Sequence, residues 1–157
     1  MKMFKKLMAI ALVGVMALSM LTGCAITDSI KEKALRDALG TAASIELGKG
    51  KTVTFKGDND LDKVAKAAVE GLTYGSTDLN PVDEKYAVAV ADIKKSTNTA
   101  DEFEKGCAKK LVDQLTADGF VLKEGTHKLG VKFFNLEDKA NNKTYYYVIV
   151  VAEKPVA

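Results

Sequence analysis

Histidine, arginine and cysteine are scarce in this 157-residue sequence, and each shortage excludes a class of function. The chain has one arginine, Arg36, and no long basic run. It therefore lacks the clustered positive charge that binds a nucleic-acid backbone. The one histidine, His127, lies in the polar stretch KEGTHKLG, where we predict an exposed loop residue. No pair of possible zinc ligands has a recognisable spacing. The sequence therefore predicts no metal, no cofactor and no nucleic-acid partner.

Several catalytic and ion-binding patterns are absent as well. No serine lies in a G-x-S-x-G turn, and the Gly-Lys-Gly stretch near residue 49 lacks the spacing of a phosphate-binding loop. Asp58, Asp60 and Asp62 are spaced like the start of a calcium-binding loop. That loop needs glycine at its sixth position and glutamate at its twelfth, where this chain has Lys63 and Val69. The three aspartates are instead typical of a helix start, where negative charge suits the helix dipole.

The first residues have the order of an export signal. Lysines at positions 2, 5 and 6 precede fifteen uncharged residues, 7–21, and small residues follow. This run is shorter than the roughly 20 apolar residues that a membrane-spanning helix needs. Three of the 23 basic residues belong to the signal, so the rest of the chain has 20 against 21 acidic residues. The body of the protein is therefore nearly neutral, with a formal net charge of −1.

The residues Leu21-Thr22-Gly23-Cys24 resemble the lipobox of bacterial lipoproteins. This resemblance implies cleavage before Cys24 and attachment of a diacylglycerol to its thiol. The protein would then be anchored to the cell membrane, or to the outer membrane where the organism has one. A thiolate is nucleophilic near neutral pH, and two acyl chains anchor a protein far more firmly than one. We expect residues 1–23 to be removed and residues 24–157 to form one domain. The alternative is an ordinary cleaved signal with a free terminal cysteine.

Removal of the signal would leave Cys107 without an intramolecular disulfide partner, because Cys24 would carry the lipid. The Cys107 thiol is then either buried and inert or bridged to another chain. Apolar residues recur around Cys107 at helical spacing, with Phe103, Leu111 and Leu115 on the same stripe. A cysteine on such a stripe packs as a small apolar side chain. We therefore predict a buried structural thiol.

Hydrophobic periodicity predicts three helices. The first covers residues 28–39 and ends at Gly40, and the second lies within residues 58–72. The third covers residues 100–118, between a capping box of Thr99 and Glu102 and a terminating Gly119.

Strand patterns fill most of the remaining chain. Residues 45–47 and 53–55 predict a hairpin, and residues 85–93 predict a strand with one face of alanines, against which a helix can pack closely. Residues 119–125 predict a further strand. Two β-rich runs flank a turn at 139–143, and the second is apolar on both faces, as an interior strand is.

Together these elements predict a single α+β domain. We expect a mixed sheet of five or six strands, packed by two or three helices. The strand, helix and strand within residues 85–124 have short connections, which predicts a right-handed crossover between parallel neighbours.

The longest stretch without periodicity, residues 71–85, is the best candidate for a partner contact. Long loops in compact domains are often functional, and Tyr74, Asp78 and Asn80 are its candidate contact residues. The alternative is a solvated connector. Three consecutive tyrosines, 145–147, could stack on sugars or bases, but strand spacing favours core and rim positions.

A second resemblance covers residues 61–125. Its order of helix, strand ending in Ala-Asp-Ile, polar turn, long helix and Gly-Phe-Val-Leu is similar to a domain of two lipoprotein groups. These are flagellar outer-membrane assembly lipoproteins and lipoprotein activators of penicillin-binding proteins, which are binding modules without active sites. The sequence thus favours a non-enzymatic envelope lipoprotein that binds an envelope protein or a cell-wall component. The alternative is a small enzyme that acts on cell-wall glycan or peptide.

Overall fold

The structure is a computed structural model that describes residues 25–76 and 78–155. The predicted export signal, the predicted lipobox and Cys24 lie outside the described residues. The helices are α1 (Ala25–Leu47), α2 (Asn59–Val69), α3 (Ala100–Gly106) and α4 (Ala108–Ala117). The strands are β1 (Val53–Gly57), β2 (Tyr86–Ile93), β3 (Gly125–Asp138) and β4 (Lys143–Glu153).

The four strands form one mixed sheet in the order β1-β3-β4-β2. Strand β1 pairs with β3 in parallel, and β4 lies antiparallel between β3 and β2. Helices α1, α3 and α4 cover one face of the sheet, whereas α2 and residues 71–85 cover the other. The predicted α+β class and mixed sheet are confirmed. The predicted numbers are wrong, because the described residues contain four strands and four helices.

The predicted end of the first helix at Gly40 and the hairpin after it are wrong. Helix α1 continues to Leu47, because Ala42 and Ala43 extend its apolar stripe, and it ends at Gly48, whose φ is 115°. Gly40 serves close packing instead. A Cβ atom there would lie 2.9 Å from the carbonyl oxygen of Val53. Residues 45–47 are therefore helical, and only β1 remains of the predicted hairpin.

The crossover predicted within residues 85–124 also differs from the structure. Residues 119–124 form no strand, and β3 begins only at Gly125. Strands β2 and β3 are parallel to each other but are separated by β4. The predicted helix 100–118 is divided at Cys107, whose φ of −122° and ψ of −9° interrupt the helical backbone.

Other local predictions are confirmed. The side chain of Asp58 caps α2 by accepting a hydrogen bond from the Leu61 amide at 2.9 Å. Thr99 and Glu102 form the reciprocal capping box at the start of α3. The alanines of β2 lie in the same buried cluster as α4. Strand β4 is an interior strand, and its residues Val148 to Ala152 are buried.

Side chains protect the open edges of the sheet. On β2, the amides of Val88 and Val90 donate to the side chains of Asp118 (2.8 Å) and Gln114 (3.0 Å). Strand β3 extends beyond the end of β1, and there its Val131 amide donates to the side chain of Asp62 at 2.9 Å. Such contacts block strand addition by another chain. Asp62 therefore contributes to the sheet as well as to the helix start.

Within the residues that the structure describes, no helix is long and apolar enough to cross a membrane.

Candidate contact surface

Residues 71–85 are fixed to the domain rather than loosely attached. Leu72, Leu79 and Val82 are buried in the apolar cluster beneath α2. The side-chain amide of Asn80 donates to the carbonyl oxygens of Ala67 (2.8 Å) and Glu70 (2.7 Å). These are carbonyl groups at the end of α2 that the helix leaves without an internal partner. Residues 71–76 and 78–85 therefore have a defined conformation, and the Asn80 side chain joins them to α2.

Tyr74 is held from two sides in a half-exposed position. Its ring stacks on that of Tyr145, with centroids 6.1 Å apart and planes inclined by 19°. Its hydroxyl group interacts with the carboxylate of Asp138, a buried residue at the end of β3, and this interaction contributes to the raised pKa of Tyr74. Two constraints on one side chain reduce the conformational entropy that is lost when a partner binds. Tyr74 is therefore an aromatic side chain that is held in one position and partly exposed.

The three candidate residues do not have one common environment. Asp78 is exposed, Asn80 is committed to the end of α2, and Tyr74 belongs to the cluster with Tyr145 and Asp138. Tyr145 comes from the tyrosine triplet. The next two tyrosines of the triplet are a half-buried Tyr146 and a buried Tyr147, which stacks on Phe134 at 5.3 Å. The triplet therefore occupies rim and core positions.

Hydrogen bonds shift the ionisation of the Tyr74 and Asp138 pair. The Asn141 side chain donates to Asp138 at 2.7 Å and, with weaker help from the Asn141 amide and the Tyr74 hydroxyl, lowers the pKa of that carboxyl group. Burial, followed by the neighbouring Asp138 carboxylate, raises the pKa of Tyr74. The ionised form of Asp138 is thus the form that this turn stabilises.

This arrangement predicts a stability difference that depends on pH. A lowered pKa in the folded state means that the Asp138 carboxylate stabilises the fold above its ordinary pKa of about 3.9 and loses this effect as the pH falls further. We expect Asp138→Asn to lower the melting temperature near pH 7 and to differ less from the wild type at pH 3. Asp78→Asn, which removes an exposed carboxylate from residues 71–85, is the control. A gap between Asp138→Asn and the wild type that is the same at both pH values would contradict the prediction.

Cys107 is buried, as the sequence predicts, at the junction of α3 and α4. It lies at a cleft of about 500 Å³ between the end of β2 and α3. Two of the charged groups around the cleft have structural partners, since Glu102 belongs to the capping box and Lys105 pairs with Asp101 at 3.0 Å. Burial raises the pKa of the Cys107 thiol to about 11. The thiol is therefore protonated and a poor nucleophile at neutral pH.

The raised pKa predicts slow modification of Cys107. In a Cys24→Ser background, where Cys107 is the one thiol, we expect a disulfide reagent at pH 8 to react on the order of 100-fold more slowly with the native protein than with the urea-unfolded protein. This factor follows from the thiolate fractions at pKa values of about 11 and 9.0. Equal rates in the two states would contradict a buried thiol.

The predicted loop position of His127 is wrong, because the residue belongs to β3 and is half-buried. Its ring packs against Phe120 at 5.2 Å and Phe55 at 6.0 Å. The Nε2 atom lies 2.8 Å from the carbonyl oxygen of Lys123, which can only accept, so Nε2 donates. This hydrogen bond therefore joins β3 to the irregular stretch that precedes it, at Lys123.

No cluster of three or more possible metal ligands occurs in residues 25–76 and 78–155. Asp138 and Asn141, which lie next to Tyr74 in the candidate surface, are the residues that sequence reasoning missed. Their spacing is that of an Asx-type turn, a signal that marks the turn but not its link to Tyr74.

No family model, curated protein or solved structure matches the chain.

Proposed function

We propose that this chain is an exported bacterial lipoprotein, anchored through a diacylglycerol on Cys24, that acts as a non-enzymatic binding module of the cell envelope. The anchor is supported by the lysines, apolar run and lipobox of residues 1–24. Helix α1 begins at Ala25, and from Ser29 onward Leu35 is its first buried residue.

One observation carries the binding role: Tyr74 is fixed, half-exposed, between Tyr145 and Asp138. Preorganised aromatic side chains are frequent energetic centres of protein interfaces. We propose that an envelope protein or a cell-wall component binds around Tyr74, with exposed Asp78 at the edge of the contact. The resemblance of residues 61–125 to lipoprotein binding domains supports the same role.

The anchor is tested by metabolic labelling with a fatty-acid probe. We expect the wild type to be labelled and to remain with the membrane fraction, and Cys24→Ser to lose the label completely. The substitution removes the thiol that would form the thioether but leaves the export signal intact. Equal labelling of the two proteins would refute the proposed anchor.

The binding role is tested by photo-crosslinking in intact cells from a photoreactive residue at position 78. We expect a discrete crosslinked species whose yield falls several-fold in Tyr74→Ala. Tyr74→Phe, which keeps the ring stack on Tyr145 and loses the hydroxyl group that interacts with Asp138, is expected to retain most of the yield. Melting temperatures show whether each variant is folded. Equal yield from folded Tyr74→Ala would refute a contact through this residue.

A further inference from the structure

The direction of α1 indicates which end of the domain is nearest to the proposed anchor. Near its C-terminal end, the Ser44 hydroxyl accepts from the Val53 amide at 2.8 Å, at the start of β1. Further back along the helix, Arg36 lies against Gly57 at the end of β1, and Lys31 lies over the ring of Phe133, with Nζ 5.0 Å from its centroid. Since β1 is parallel to β3, α1 runs antiparallel to both strands.

This direction places the start of α1 beside the turn between β3 and β4. Ala25 lies six residues before Lys31, and six helical residues span about 9 Å. In a strand, about three residues span the same distance, so Ala25 lies level with a position about three residues beyond Phe133. That position corresponds to Leu136, two residues before the end of β3. The end of β2 lies on the same side, because Ile93 pairs with Tyr146. We call this side of the domain, with loops 94–98 and 139–143, the turn end.

The two loops of the turn end carry one sign of charge. Lys94, Lys95, Lys139 and Lys143 are exposed, and the loops contain no acidic residue. None of these four lysines forms an ion pair with any of the described residues. The turn is also the more protruding loop, because β3 and β4 continue three residue pairs beyond the level of Ile93.

Half-buried tyrosines accompany these lysines. Tyr145 and Tyr146 lie next to the turn, and they are two of the five tyrosines of the chain. Tyrosine and lysine are favoured at the level of lipid headgroups, where an apolar ring body and a polar or charged tip are both accommodated. The loops at the opposite end together have both signs of charge, because Lys49 and Lys51 lie in one loop, Lys123 lies beside Glu124 in another, and Asp83 and Glu84 precede β2.

From these observations we infer that the turn end contacts the membrane surface and that its lysines bind anionic lipid headgroups. This inference rests on the proposed lipid anchor at Cys24, which would hold the start of α1 at the bilayer. Lysines near an anionic surface add to the attraction that an acyl anchor supplies, and salt weakens that attraction. Asp92 precedes the first loop by two residues, and Glu137 and Asp138 directly precede the second, so the attraction is local to the lysines and the protein is not broadly basic.

Lysine accessibility on vesicles tests this inference. The full lipidated chain is reconstituted into vesicles of phosphatidylglycerol and phosphatidylcholine, or of phosphatidylcholine alone. It is then labelled briefly with a water-soluble amine reagent, and its peptides are quantified by mass spectrometry. On the anionic vesicles we expect at least threefold slower labelling of Lys94, Lys95, Lys139 and Lys143 than on phosphatidylcholine. Lysines of the opposite end, such as Lys49, Lys51 and Lys123, are internal controls and should not slow.

A charge-reversed variant makes the test specific. We expect Lys139→Glu/Lys143→Glu to abolish the protection of Lys94 and Lys95, and Lys49→Glu/Lys51→Glu to preserve it. Equal labelling at both ends of a chain whose N-terminal lipid is verified would overturn the contact and leave the anchor standing. Absence of the N-terminal lipid would overturn both, so the two failures are distinguishable.

Discussion

Gly130→Ala is expected to lower the free energy of unfolding by about 3 kcal/mol, near the upper end of the range for overpacked interiors. A Cβ atom at this position would lie 2.2 Å from the carbonyl carbon and oxygen of Leu61. Both are backbone atoms, so α2 would have to move away from β3. This movement would also stretch the hydrogen bond from the Val131 amide to Asp62. The expected decrease in melting temperature is about 10 °C.

Gly106→Ala is the matched control. Gly106 is the last residue of α3, its φ is not positive, and a Cβ atom there would meet nothing within 4 Å. Alanine favours the helix over glycine by up to about 1 kcal/mol, so this variant should be as stable as the wild type or slightly more stable. Similar unfolding curves for the two variants would show that α2 does not pack on β3 as closely as described.

Phe103→Ala is the second substitution with a large expected effect, about 3–5 kcal/mol. Phe103 is the one buried residue of α3, is fully inaccessible to solvent, and packs 6.0 Å from the ring of Phe133. A helix of seven residues depends on tertiary contacts for its stability. Loss of this ring should therefore release α3 from α1 and the sheet, in addition to leaving a cavity.

Urea unfolding and amide hydrogen exchange measure these two consequences. We expect a lower unfolding midpoint and a loss of protection at the amides of Phe103 and Cys107, which bond within the first and last turns of α3. Ile45→Ala is the control, because Ile45 is 76% exposed on α1 and its truncation should change the stability by less than about 0.5 kcal/mol. If Phe103→Ala were as stable as Ile45→Ala, the packing of α3 would be incorrectly described.

The elements that the sequence predicted correctly are those with local causes. The cap of α2 at Asp58 and the capping box at Thr99 depend on residues within one helical turn. In β2, alanines face one apolar cluster and valines face the other, and β4 is apolar on both faces. Both patterns depend on burial alone. Gly40 was misjudged because a glycine can end a helix or allow close packing, and the neighbouring Val53 decides between these roles.

The topology and the contact surface depend on contacts between residues that are distant in the chain. Residues 119–124 have strand-like composition, yet the partner of β1 begins at Gly125 and β4 separates β2 from β3. Tyr74 was a candidate from loop length alone, whereas its restraint comes from Tyr145 and Asp138, more than sixty residues away. Local composition contains no information about such pairs, which only the folded arrangement of the strands brings together.

The proposed anchor at Cys24 is tested most directly by the mass of the N-terminal peptide of the protein purified from membranes. We predict a chain that begins at Cys24 and carries the added mass of a diacylglycerol on its thiol, with or without a further acyl group on the new amine. A chain that retains residues 1–23, or one that begins at an unmodified Cys24, would contradict the account.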